Sequence, residues 1–119
     1  MKPRSGRARS PASGAAPALT TAKLRRLEKN AHKACDLLAA MANTSRLMIL
    51  CQLADGEKSV SDLQPLIGLS QSALSQHLGV LRRKHLVRTR RAGQSIYYSL
   101  ASGEATAVMS TLHAQFCRR

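Results

Sequence analysis

Acidic side chains are scarce in this chain of 119 residues: six Asp and Glu stand against nineteen Lys and Arg, a net charge of +13. That excess is larger than an ordinary solvated surface carries, and it points to a polyanion as partner. Long apolar runs are missing too. No stretch approaches the ~20 residues that a membrane-spanning helix needs. The basic N-terminus lacks the apolar stretch of a secretory signal, so a cytoplasmic location without membrane insertion is expected. Structural disulfides are rare there, and Cys35, Cys51 and Cys117 must each be core, ligand or redox group. Enzyme signatures are likewise absent. There is no Cys-x-x-Cys, no Gly-rich phosphate loop and no Ser/His/Asp set in a recognisable context. Neither an enzyme, such as a thiol oxidoreductase, nor a cofactor is expected. An amphipathic protein of anionic membrane surfaces is a further reading, which vesicle binding without DNA preference would favour.

What is present suits one domain, small enough for dimerisation to add useful burial. Residues 1–20 read as a disordered basic arm, rich in Pro, Ser, Gly and Ala, with Lys2, Arg4, Arg7 and Arg9. A solvated tail and a non-specific DNA contact are both open for it. Residues 21–119 form the folded domain. Leu24, Leu27, Ala31, Ala34, Leu38 and Met41 recur at spacings of three and four, giving a long helix with a narrow seam suited to docking between subunits. Asn43 or Thr44 can cap a second helix to about Ala54, where Leu47, Leu50, Cys51 and Ala54 share a face and Ile49 and Leu53 cover much of the rest. Apolar nearly all round, it belongs at the centre of a core.

A short helix from Ser59 to about Ile67 ends at Gly68, and Ser70 caps the next, to about Lys84. That is a helix-turn-helix. Leu86 to Arg91 and Ser95 to Leu100 then read as strands around Ala92-Gly93-Gln94, a hairpin turn. A last helix, Ala101 to about Phe116, carries Ala105, Val108, Met109, Leu112 and Phe116 on one face. The fold expected is mainly α with a β-hairpin wing: a winged helix-turn-helix.

On the helix after Ser70, Leu74, Leu78 and Leu81 fall within about 60° of arc and must face the core. The opposite arc presents Gln71, Ser72, Ser75 and Gln76, short polar groups that reach base edges, with Arg82 and Arg83 suited to phosphate. His77 borders the core face, where packing and DNA contact are both open. Arg88, Arg90, Arg91 and Gln94 give the wing a positive face for the backbone or minor groove. Cationic edges also protect strands from stray pairing.

Leu69-Ser70-Gln71-Ser72-Ala73-Leu74-Ser75-Gln76-His77-Leu78, His85-Leu86-Val87 and Gly93-Gln94-Ser95-Ile96-Tyr97-Tyr98-Ser99-Leu100 resemble the ArsR superfamily of bacterial repressors, over roughly residues 31–117. The resemblance implies a winged-helix homodimer, joined through its first and last helices, that occupies double-stranded operator DNA and leaves when an inducer binds. Arsenic and cadmium sensors of the family carry Glu-Leu-Cys-Val-Cys-Asp-Leu, where this chain has Glu57-Lys58-Ser59-Val60-Ser61-Asp62-Leu63, with serines as poor ligands for a soft metal. The Asp and His pairs that zinc and nickel sensors place on the last helix are reduced to Glu104 and His113.

Cys51 lies on an apolar stripe, as a small hydrophobe would. Cys35 and Cys117 lie at the edges of theirs, packed yet reachable, with Lys33 and Arg118-Arg119 able to favour thiolate. One cysteine on the N-terminal helix, one ending the last helix, and Arg46-Leu47-Met48-Ile49-Leu50-Cys51 resemble the sulfide- and persulfide-responsive, BigR- and SqrR-like branch. That resemblance implies that Cys35 and Cys117 are a sensing dithiol for reactive sulfur. Two incidental cysteines remain an alternative. So does a metal sensor using His32, Cys35, His113 and Cys117, two Cys and two His being a set that suits tetrahedral zinc.

Overall fold

A computed structural model of the protein describes residues 20–117. The basic arm read over residues 1–20, apart from Thr20, and the Arg118-Arg119 pair lie outside the described residues. The chain divides into two units, Met1–His32 and Lys33–Arg119. The described part of the first is the opening of helix α1 (Thr21–Met41), which continues into the second.

The second unit adds α2 (Thr44–Ala54), β1 (Lys58–Ser59), α3 (Val60–Ile67), α4 (Gln71–Arg83), β2 (Val87–Ala92), β3 (Ser95–Leu100) and α5 (Gly103–Phe116). Two side chains build the corner between α1 and α2. The Asn43 side chain accepts from the Arg46 N–H at 3.0 Å, capping α2. Arg46 in turn donates from Nε to the Ala40 carbonyl at 2.6 Å and from Nη2 to the Ala39 carbonyl at 3.3 Å. These bonds satisfy carbonyls that the end of α1 would otherwise leave unpaired.

The core is leucine-rich. Ile49, Leu50 and Leu53 of α2 pack with Leu63 of α3, Leu74, Leu78 and Leu81 of α4, Leu86 and Val87, and Ala105 and Met109 of α5. Each fully buried aliphatic side chain contributes about 1.5–3 kcal/mol. Ala40 and Met41 join this core, with Leu37 packed against it. The long-helix seam therefore divides: Met41 belongs to the core, whereas Leu24, Leu27 and Leu38 remain about half exposed. Ala54 is exposed, and Phe116, read on the apolar face of the last helix, is 80% exposed.

The sheet has order β1-β3-β2, antiparallel throughout. Ala92 pairs with Ser95, so Gly93-Gln94 is a two-residue loop, and Gly93 takes φ +62° in it. Strand β1 was not expected. It is two residues long, too short to carry an alternation. The last helix starts at Gly103 rather than Ala101, because the Ser102 side chain accepts from the Ala105 N–H and sets its first turn. Among the described residues no single helix is long and apolar enough to cross a membrane.

Candidate nucleic-acid interface and thiol positions

The α3–α4 pair forms the expected helix-turn-helix. Ser59 caps α3 by accepting from the Asp62 N–H at 3.1 Å, while the Asp62 carboxylate accepts from the Ser59 N–H at 3.0 Å. That second bond, from the Ser59 backbone, holds the Asp62 carboxyl below its usual range. Gly68 ends α3 at φ +79°, the left-handed conformation that glycine adopts without steric cost. Ser70 then caps α4 by accepting from the Ala73 N–H at 3.1 Å.

These caps fix which side of α4 faces out. Leu74, Leu78 and Leu81 are buried, and Gln71, Ser72, Ser75, Gln76, Arg82 and Arg83 are exposed. Gln71 and Ser72 occupy the first turn, where unpaired N–H groups and the helix dipole favour an anion such as phosphate. His77 is half-buried. A left-handed residue ends α4: His85 has φ +64°, its N–H donating to the Arg82 carbonyl and that of Leu86 to the Leu81 carbonyl. This closure turns the chain into β2 and brings Leu86 back onto the core beside Leu81.

On the wing, Arg88, Arg90, Arg91 and Gln94 are all exposed. Arg90, read from the sequence as a DNA contact, has a carboxylate partner. It donates from Nε and Nη2 to the two carboxylate oxygens of Glu57, at 3.0 and 2.7 Å, and its guanidinium lies 5.0 Å from the centroid of the Tyr97 ring. The Arg90 bond draws the Glu57 carboxyl below its ordinary range, and Glu57 raises Arg90 in return. Only one other ion pair occurs among the described residues, Lys84 to Asp36 at 4.0 Å, so Arg88, Arg91, Arg82 and Arg83 have no carboxylate partner there.

All three thiols are free. Cys35, on α1, and Cys117, just after α5, are exposed rather than packed at a stripe's edge. Cys51 is half-buried on α2. A groove of about 940 Å³ runs between α2 and α5, with Leu47, Met48, Cys51, Met109, Phe116 and Cys117 in its walls. Cys117 thus shares a surface with Cys51, while Cys35 does not line it. No feature of the sequence signalled this, since two stripes read separately do not show which helices pack together. Of the candidate metal ligands, His32 lies in the first unit and Cys35, His113 and Cys117 in the second. Among the described residues no three His, Cys, Asp or Glu side chains gather as a metal site.

A polar, arginine-ended helix held by a leucine stripe, beside a positive two-stranded wing, defines a winged helix-turn-helix DNA-binding regulator. The sequence matches the profile described as bacterial regulatory protein, arsR family, over residues 43–89. It is 52% identical over 95 residues to the transcriptional activator HlyU of Vibrio cholerae, covering 80% of this chain and 88% of that one. With the biofilm growth-associated repressor of Xylella fastidiosa the identity is 41% over 91 residues, 76% of this chain and 80% of that one. The solved structure of reduced HlyU from Vibrio cholerae superposes with a TM-score of 0.76 at 51% identity, over 79% of this chain and 99% of that one. The chain belongs to the ArsR family of bacterial transcription regulators.

Proposed function

We propose that the protein is a homodimeric repressor that holds operator DNA until Cys35 and Cys117 react with reactive sulfur or an oxidant. The observation that supports this most is exposure. Cys35 and Cys117 are open to solvent and lie outside the DNA-binding helices, while Cys51 is half-buried. One relative is named a repressor, and another has a solved structure of its reduced form. The step balances as ordinary exchange. A Cys thiolate attacks the sulfane sulfur of a persulfide R–S–SH, giving Cys–S–SH and releasing RS⁻. The second Cys thiolate attacks the inner sulfur, closing a disulfide and expelling HS⁻. Two electrons pass from the two thiolates to the sulfane sulfur. A direct bond needs Cα atoms within about 7 Å.

A second pairing, Cys51 with Cys117, is favoured by the groove they share. One experiment separates them: binding to a duplex enriched from random DNA, before and after a persulfide donor, in wild type and in Cys35→Ser, Cys51→Ser and Cys117→Ser. The first reading expects the response to vanish in Cys35→Ser and Cys117→Ser alone. Loss in Cys51→Ser with retention in Cys35→Ser selects the second pairing. Release by the Cys35/Cys117 double variant, or by zinc in place of persulfide, overturns the dithiol.

A further inference from the structure

Glu57 lies in none of the elements read as contacting DNA, yet it makes a side-chain bond across 33 residues of sequence. The register explains how. Arg90 pairs with Tyr97, and Tyr97 pairs on its other side with Ser59. Glu57 is two residues before Ser59, so the pleat carries it toward the same side of the sheet. Its ion pair with Arg90 therefore crosses β3 above the Tyr97 ring, joining one edge strand to the segment that leads into the other. That segment is not a passive loop, because Ser59 is also the N-cap of α3. The wing is thus bonded through Arg90 to Glu57, two residues along the chain from the cap of α3, the helix that leads into α4.

We propose that Glu57, acting through Arg90, is a positioning residue for DNA recognition: it fixes the wing relative to α4 and withholds the Arg90 charge from phosphate. A lone exposed ion pair is usually weak, since solvent screens it. Here the grip is bidentate and rests on an aromatic face, which restricts orientation as a single bond does not. Wing and helix contact one duplex as linked sites, and the gain from linkage exists only when both fit together. Arg90, neutralised by its partner, contributes orientation. Arg88 and Arg91 contribute charge.

The proposal rests on the DNA-binding reading, and the test keeps the two apart. The full-length protein is titrated with a duplex that the wild type enriches from a random pool, and with a shuffled duplex of the same length. Glu57→Gln and Arg90→Lys should each bind the enriched duplex several-fold more weakly, with binding to the shuffled duplex unchanged or tighter. Lysine keeps the charge but cannot make two parallel bonds. The double variant should be no weaker than either single one, because both remove the same interaction. Arg91→Gln should make the slope of log affinity against log salt shallower by about one unit, and Arg90→Gln should leave it unchanged. Thermal melting checks that the variants remain folded. Wild-type discrimination in Glu57→Gln, or an Arg90→Gln slope as shallow as that of Arg91→Gln, overturns the proposal. Failure of the wild type to enrich any duplex strikes the DNA-binding reading itself.

Discussion

Ser59 carries more of the architecture than its size suggests. Its hydroxyl caps α3, its N–H is bound by Asp62, and its backbone pairs with Tyr97. Ser59→Ala should destabilise the fold by about 1 kcal/mol, the usual effect of removing a helix cap, read from urea unfolding near neutral pH. The Asp62 half of this box titrates. Its folded carboxyl is held below the ordinary 3.8, so its contribution is complete above that value and is lost as pH falls through the lower folded value. Asp62→Asn should therefore flatten the acid side of the stability curve below about pH 4. An acid limb identical to wild type would mean that the Asp62 bond does not contribute. The sequence read Ser59 as the first residue of the helix, and the structure makes it the cap just before it. The bond between Glu57 and Arg90 was not legible, because no local pattern links residues 33 apart.

Among the elements, α4 is the one whose inner and outer sides the sequence separates most cleanly. Three buried leucines leave Ser72, Ser75 and Gln76 on the exposed side. Alanine at these positions should relax base preference by about 1–3 kcal/mol for each well-made base interaction removed, measured by competition between duplexes, with folding intact. Unchanged preference in all three variants would remove α4 from the reading role. Periodicity worked here because a stripe of Leu at helical spacing has one packing solution. It also placed the end of this helix correctly, near Lys84, which caps it, but not the way the chain closes there. Left-handed termination usually falls to Gly or Asn, and here His85 takes it, a residue with no strong turn signal. The α2–α5 groove was hidden for another reason: helix pairing depends on how several apolar faces share one core.

At the scale of the whole molecule, the apolar surface left open is what the single chain does not explain. Leu24, Leu27 and Leu38 of α1 are 47%, 51% and 54% exposed, and Phe116 at the end of α5 is 80% exposed. Large apolar side chains left open to solvent can mark interaction surfaces, and these lie on the first and last helices, through which the family resemblance implies that subunits join. None belongs to the buried core, so charge placed there should spare the fold. Leu24→Glu combined with Leu27→Glu should shift the protein to monomer, seen by sedimentation, with a melting transition retained. The effect on DNA should exceed that of any single α4 variant. Two recognition helices spaced by about one DNA turn, ~34 Å, read two half-sites together, and linkage of this kind raises affinity by about 10²–10⁴-fold. A separated subunit forgoes that gain and keeps only its own half-site, so binding to a two-half-site duplex should fall toward that for a single half-site. A variant that stays dimeric and binds as wild type would move the subunit interface away from α1.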